Sequence, residues 1–556
     1  MPAGTPTTWL EAADAKEVHL AFPAAVYSDL QDVLFPDEGH PFHGMGERGA
    51  FCVITKSTGT CRVSYLVENV VTPNSEDDLR IPTTTRSSES WRLFRSLFGA
   101  SDQSKASMSS DTLGYEFSEG YHERAVERAR DIGGGLLRVH THPGGVHPSG
   151  VDKDSAAQIY KNDRDRLPMG APFGAAITNE RWDWSARVYE PGNGSPVTTS
   201  ASRVRIVGPT HSNRPFEKRL TLDADTNRNL ANIRDTEQDS TIQLWGEDGQ
   251  RLLADLRIGL VGCGGVGSIL AEHLARLGIG HLVLVDFDRL EEANFNRAQG
   301  ATRIDIRQNR LKTKVAERIA HEAATADGFD TTVVDGSVVD DELEYAAVPG
   351  LLDCDLILSG VDAARPRKVL NHLARAHCIP VIDGGSKLHA TDGGELDPEA
   401  KAETAVSGPG WPCFECQRVW TPDDVEYERD NPAFRGERGY VDGGVNLDDE
   451  DRSPSVIGVN ALAAGLMQHR LMALALGVAM GTTGTLRVSL QDAESNWSSR
   501  IGCQADCSPP PVAAGDRHQL PTGTGWSMRY ERQDIPMPET QVADDATDLL
   551  NDDLLK

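Results

Sequence analysis

The chain has 556 residues, 39% of them hydrophobic and 25% charged, with a formal net charge of −29. That length exceeds what one hydrophobic core serves and predicts two to four domains. The acidic balance argues against nucleic acid or an anionic membrane as the main partner.

The first residues hold no charged segment followed by an apolar run, so no signal peptide is expected. Nine cysteines, four of them in two close pairs, suit a reducing cytosol and a metal site better than a disulfide framework. The expected location is therefore cytoplasmic. The longest apolar stretch, Ser455 to Met480, carries Asn460, Gln468, His469 and Arg470. It reads as a buried or interface helix, not a membrane span.

Residues 1–205 read as one α/β domain. Ala24 to Leu34 is a first helix, and Gly49–Ile54 and Cys61–Val71 are strands. Residues 73–112 are polar and Ser/Thr-rich, a loop with a short helix around Ser90–Phe98. Glu119 to Ile132 is an amphipathic helix ended by three glycines. The next strand ends in His140-Thr141-His142, and alternation puts both imidazoles on one face. The chain turns at Pro143-Gly144-Gly145 and returns Asp152 at the start of a helix, Asp152–Lys161. Two histidines and an aspartate leave a fourth tetrahedral position for water, the open arrangement of a catalytic zinc. Ser149 is placed to donate to a developing oxyanion, and His147 is read as a loop residue.

This string resembles the JAB/JAMM (MPN+) metalloproteases, which cut isopeptide or peptide bonds after ubiquitin-like tails. Six residues separate His142 from Ser149, one fewer than in the eukaryotic form. The resemblance implies an upstream glutamate as general acid/base. Glu47, just before a strand, matches that position; Glu17 and Glu38 are rivals.

Residues 206–227 are read as a linker and 228–508 as a second domain. Leu230 to Leu256 is helical in parts. Ile258–Val261 is a buried parallel strand. Gly262, Gly264, Gly265 and Gly267 follow, in G-x-G-x-x-G order, then a helix from Ser268 to Leu277 that Gly278 stops. Leu282–Val285 is a second strand, ending in Asp286, which is placed to bond a ribose hydroxyl. Asp288, Asn294, Arg297 and Gln299 put charged and amide groups where a dehydrogenase needs an open apolar slot. The class is therefore ATP-handling rather than nicotinamide-binding.

The segment closely resembles the ThiF/MoeB/E1 superfamily of adenylating enzymes over roughly residues 228–508. The resemblance implies a Rossmann-like domain with a mostly parallel sheet, binding of ATP and Mg²⁺, and adenylation of a C-terminal glycine. It assigns a phosphate lysine to Lys314, with Lys312 as the alternative, on a helix Asp305–Glu322. It gives Arg297 the α-phosphate region and Asp362, after the strand Cys354–Val361, the Mg²⁺. Asp362 also reads as a helix N-cap. Arg234 is the candidate for an arginine reaching a partner subunit. A further strand, Pro380–Asp383, leads to Gly384-Gly385.

Cys413-x2-Cys416 and Cys503-x3-Cys507 suit a closed structural zinc, and the long apolar helix Pro454–Leu476 lies between them. No cysteine occurs at 379–412 or 417–502, so adenylation without the E1 thioester is expected, unless Cys413, Cys416 or a cysteine of another domain serves. Residues 509–556 read as a Pro-rich, acidic, disordered tail.

The reading is a bifunctional ubiquitin-like-pathway protein: a zinc (iso)peptidase fused to an adenylating domain. Its expected partners are a ubiquitin-like or sulfur-carrier protein ending in glycine, an E2-like protein and a second copy of the chain. In the alternative, the adenylating domain serves a sulfur carrier or peptide and the first domain only binds a partner.

Overall fold

The computed structural model describes residues 17–36, 48–74, 78–80, 116–142, 144–191, 197–209, 235–339, 347–388, 400–430, 455–476, 484–491, 494–498, 502–505 and 507–522. The first half comprises β1 (Glu17–Pro23), α1 (Ala24–Leu34), β2 (Gly49–Thr58), β3 (Arg62–Val71), the short pair β4 (Leu79–Arg80) and β5 (Glu116–Phe117), α2 (Glu119–Ile132), β6 (Gly135–Thr141), α3 (Gly150–Asp163), β7 (Phe173–Thr178), β8 (Trp184–Glu190), β9 (Val197–Ser200) and β10 (Arg203–Val207).

Among the described residues it forms a mixed sheet in the order β10-β1-β3-β2-β6-β7-β8-β9. Strand alternation divides the core. On β2, Ala50, Cys52 and Ile54 face α1, packing with Leu30 and Leu34. Phe51 and Val53 face α2 and α3, packing with Tyr121, Ala125 and Tyr160, as a period of two requires.

The second half comprises α4 (Asp235–Ala254), β11 (Arg257–Val261), α5 (Gly265–Leu277), β12 (His281–Val285), α6 (Arg303–Arg307), α7 (Lys312–Ala323), β13 (Asp330–Val334), α8 (Val348–Leu351), β14 (Leu356–Ser359), α9 (Ala364–Ala376), β15 (Val381–Lys387), β16 (Lys401–Ser407), α10 (Pro422–Asp430), α11 (Ile457–Leu476), β17 (Thr485–Ser489) and β18 (Ser495–Ser498). Its sheet runs β13-β12-β11-β14-β15-β16-β17-β18. The first five strands are parallel and the last three antiparallel. Both faces are covered: Leu282 and Leu284 of β12 pack towards α5, α7 and α11, and Val283 and Val285 towards α8 and α9. This burial explains the uninterrupted apolar runs. No helix among the described residues is long and apolar enough to cross a membrane.

The two halves meet over an apolar patch, where Ala21, Leu66 and Val207 join the core of the second half, and over polar groups. The loop before β14 carries Asp353 and Asp355 onto the first sheet. Asp355 accepts from Arg62 at 2.9 Å and lies 3.5 Å and 3.8 Å from Arg203 and Arg205. Asp353 accepts from the backbone of Cys61 and Arg62. A second bridge is the segment 507–522, which crosses α9 and lies on β2.

Several sequence expectations change. Residues 509–522 are not tail: Ala513 is fully buried, and its neighbours bond to both halves. The linker starts later than 206, because β10 runs to Val207 and pairs with β1. The nucleotide-loop helix begins at Gly265, three residues before Ser268. Asp305–Glu322 is two helices, broken at Asn309, whose φ is 46°. The loop with its short helix at Ser90–Phe98, Arg234, Glu38 and Glu47 lie outside the described residues.

Candidate functional site

The first cluster sits at the end of β6. His140 Nε2 and His142 Nε2 are 3.1 Å apart. Asp152, in the first turn of α3, brings Oδ1 to 3.3 Å from His140 and Oδ2 to 3.6 Å from His142. Two ligands about a tetrahedral zinc stand roughly 3.3 Å apart, given metal–ligand bonds of about 2.0–2.1 Å. The three side chains thus fit one ion. Burial pushes His140 down to about 4, with Arg138 adding to it and Asp152 opposing, so its imidazole is neutral and its lone pair is available. Asp152 is drawn well below the carboxylate range: burial would raise it, but the neighbouring His140 and the hydrogen bonds from Ser149 outweigh this.

Ser149 has a different place from the one expected. It is the N-cap of α3 in a reciprocal capping box. Its Oγ donates to Asp152 Oδ2 at 2.6 Å and accepts from the Asp152 N–H at 3.2 Å. Its one proton goes to the aspartate and not to an oxyanion. Glu17 is no rival to Glu47. Gly49 pairs with His140, whereas Glu17 pairs with Arg62 beyond the far end of β2. Nine residues of strand separate the two, on the order of 30 Å. Arg48, next to Glu47, exchanges backbone and side-chain bonds with Thr141.

The second cluster lies at the carboxyl ends of β11, β12 and β14, where open parallel sheets bind ligands. Gly262 has φ 89°, and a Cβ on Gly267 would stand 1.8 Å from the Gly262 carbonyl oxygen. Both are required for the turn itself. Gly264 differs, because a Cβ there meets nothing within 4 Å. It opens on a free space at a helix N-terminus, a cradle suited to phosphate. At Gly265 a Cβ would meet Asn460 Nδ2 at 2.4 Å, so this glycine serves packing against α11.

Asp286 closes the loop: its carboxylate accepts from Cys263 N at 2.7 Å and from Asp288 N at 2.8 Å. Burial pushes it up to about 6, with Lys312 pulling it down and Asp288 pushing it up. Lys312 Nζ donates to Asp288 Oδ2 at 2.7 Å. Burial lowers its ammonium, but Asp286 and Asp288 more than compensate and raise it. Lys314 points away, paired with Glu317 at 2.9 Å on the surface. Lys312, not Lys314, is the lysine of this cluster.

Asn294 caps a short 3₁₀ turn, accepting from Glu291 N. Arg297 donates to Ala293 O and Asn296 Oδ1, and its stem passes 3.5 Å from a Cβ placed on Gly265. Gln299 holds Ser268 and Glu272.

Asp362 faces solvent after β14 and is not a helix cap. The surrounding walls raise its carboxyl, with Arg367 and Lys312 opposing. The cap of α9 comes from elsewhere: Glu428 of α10 accepts from Ala364 N at 2.6 Å and from Arg365 N at 3.0 Å. Sequence reasoning missed Glu428, since it lies 64 positions from the helix that it caps.

The third cluster is Cys413, Cys416, Cys503 and Cys507, whose sulfurs all lie within 4.8 Å of one another. Cys413 Sγ and Cys507 Sγ are 3.5 Å apart, near the roughly 3.8 Å of two thiolates on a tetrahedral zinc with bonds of about 2.3 Å. Backbone N–H groups of Cys413, Cys416 and Gln504 point at the sulfurs of Cys503, Cys413 and Cys416, which favours thiolates. The set fits a thiophilic ion.

Residues 237–500 match the ThiF family. The chain is 35% identical over 159 residues to tRNA threonylcarbamoyladenosine dehydratase of Escherichia coli strain K12, covering 28% of this chain and 54% of that protein. It is 27% identical over 169 residues to molybdopterin-synthase adenylyltransferase of the same organism, covering 30% and 61%. It is 31% identical over 176 residues to ubiquitin-like modifier-activating enzyme 5 of Branchiostoma floridae, covering 30% and 40%. The chain thus spans about half the length of the curated relatives it matches. A crystal structure of E. coli MccB with ATP aligns with 50% of this chain and 74% of that one, at 19% identity and a TM-score of 0.36. The C-terminal half of this chain is thus similar to the ThiF family and to these adenylating and modifier-activating relatives.

Proposed function

We propose that the C-terminal half adenylates the terminal carboxylate of a ubiquitin-like protein, sulfur carrier or peptide. The observation that carries this is the open cradle at Gly264 with Lys312, Asp286, Asp288 and Asp362 gathered beside it. In the reaction a carboxylate oxygen attacks the α-phosphorus of ATP, the α–β phosphoanhydride bond breaks and pyrophosphate leaves. The backbone at Gly264 receives phosphate oxygens. Lys312 offsets charge on the leaving pyrophosphate. Asp286 holds the glycine loop and presents an edge to the ribose. Asp362 with Asp288 would hold Mg²⁺, which would supply charge neutralisation for the triphosphate. The similarity to an adenylyltransferase and to a modifier-activating enzyme supports this reading.

For the first half we propose a zinc peptidase of the JAB/JAMM kind, acting on the same class of partner. The spacing of His140, His142 and Asp152 supports it. Zinc there supplies an activated water. His140, His142 and Asp152 would hold the ion, and Ser149 orients Asp152. Glu47 is the proposed proton carrier.

ATP–pyrophosphate exchange tests the first proposal, with a β-grasp protein ending in Gly-Gly and its truncated form. Exchange should require both the partner and its last glycine; no exchange with carrier protein or peptide would overturn the proposal. Zinc per chain tests the second. Two zincs, falling to one in a His140→Ala/His142→Ala variant, are expected, and a content unchanged by the variant would refute the peptidase site.

A further inference from the structure

The segment after the second cysteine pair makes contacts that neither reaction uses. From Cys507 it crosses α9: Arg375 Nε donates to Pro510 O at 2.9 Å, and Ala513 N donates to Arg375 O at 3.0 Å. His518 meets His372 at 2.9 Å. It then lies on the first half. Thr55 Oγ1 donates to Ala513 O at 2.6 Å. Thr58 donates to Asp516 through both N–H, at 3.1 Å, and Oγ1, at 2.6 Å. Arg517 reaches Ile132 O and Glu68. Gly515, at φ 56°, lies so close to β2 that a Cβ would stand 2.1 Å from Lys56 O. Close beside it, Ser57 Oγ meets His377 Nδ1 of the second half at 2.9 Å.

We propose that the four-cysteine centre anchors this strap, so that metal occupancy there sets how tightly the two halves are coupled. The inference rests on reading the four cysteines as a metal site. The strap has little apolar surface of its own: Val512, Ala513, Ala514 and Leu520 are its hydrophobic residues. Its docking therefore depends on how closely it is held to β2. With metal bound, the anchor of the strap is Cys507, six residues before Ala513. Without metal, it is the end of β18 at Ser498, fifteen residues away. Effective concentration falls as about the −3/2 power of tether length, which is roughly a four-fold loss for a strap whose Pro510 and Ala513 contacts dock together.

The Thr58 amide reports docking directly, because its hydrogen is held by Asp516. Metal content and amide exchange are measured on the full chain for the wild type, Cys503→Ser and Gly515→Val. Wild type should bind metal at the cysteines and protect Thr58. Cys503→Ser should lose that metal and exchange Thr58 at least about four-fold faster, while β11 and β12 stay protected. Gly515→Val keeps the cysteines and should free Thr58 without metal loss, which covers the case where Cys503→Ser fails to fold. Metal lost with Thr58 still protected would overturn this inference and leave the metal site standing. A wild type with no metal on these cysteines would overturn both. Thr58 protected in Gly515→Val would show that the strap does not hold it, and would also overturn the inference.

Discussion

Arg62 donates to Asp355 at 2.9 Å across 293 positions of sequence, joining a turn of the first sheet to the strand entrance of the second. Burial alone would raise Asp355, but Arg62, Arg203 and Arg205 pull it well below the usual carboxylate range. Burial would also raise Glu17, and His19 and Arg62 depress it. A depressed carboxylate contributes stability that is fully present above its unfolded pKa of about 3.9–4.3 and is lost as pH falls through the folded value. The share due to Asp355 and Glu17 should therefore be flat from pH 7 to about 5 and weaken below about 4, whereas His19 and His377, which burial holds neutral, weaken the coupling as pH falls below about 6.5. Asp355→Asn should cost about 3–5 kcal/mol, since it removes the buried carboxylate shared by Arg62, Arg203 and Arg205, leaving Arg62 with Glu17 and Arg203 with Asp255. Denaturant unfolding against pH checks both; equal acid sensitivity in wild type and variant would contradict the assignment.

Lys312 and Lys314 make a discriminating pair. Lys312→Ala should lower pyrophosphate exchange on the order of 10²–10³-fold, the scale of a lost electrostatic contact to a developing charge. Lys314→Ala should stay within about two-fold, because it loses only an exposed pair with Glu317. The reverse ranking would restore Lys314 as the phosphate lysine.

The glycines separate in the same way. Gly264→Ala should leave the melting temperature unchanged within about 2 °C, since its Cβ meets nothing, yet it should weaken ATP binding by filling the cradle. Gly267→Ala should unfold the loop, because its Cβ would overlap the Gly262 carbonyl. Calorimetric ATP titration with thermal melts decides this. A Gly264→Ala variant with full ATP affinity would place the phosphates elsewhere.

Glu428 should act on the Mg²⁺ site from a distance. Glu428→Ala removes the acceptor of two N–H groups at the start of α9, a loss of about 1 kcal/mol. It should also raise the Mg²⁺ needed for half-maximal exchange by letting the Asp362 loop shift. Ala363→Ser supplies a cap from the helix's own N-cap position and should rescue both effects. Failure of that rescue would mean that Glu428 has a role other than capping.

Much of this was legible locally. The helix Ala24–Leu34 has the bounds its pattern predicts, and strand alternation placed His140 and His142 on one face. Two kinds of feature were not legible. The first depends on helical phase. Lys312 and Lys314 lie about 200° apart around a helix, and the break at Asn309, a residue that tolerates left-handed backbone, decides which one turns to the strand ends. The second depends on partners far along the chain. Arg62, Arg203 and Arg205 sit on strands where charge ordinarily signals solvent, and their counterion arrives about 150 or more positions later. The polar stretch 509–522 reads as tail because the β2 and α9 groups that bind it carry no local signature.

The cysteine pairs have a consequence for biosynthesis. Cys413 and Cys503 are 90 positions apart, so the ion cannot gain its full ligand set until the chain has been made beyond Cys507. Domains generally form as the ribosome delivers them, and the first sheet is complete once β10 has emerged. The first sheet is thus assembled some 300 residues before the strap that lies on its β2, about half a minute at roughly 10 residues per second. During that interval the N-terminal half exists with its β2 surface uncovered, and the proposed metal centre gains its last ligand only after β18 has been made.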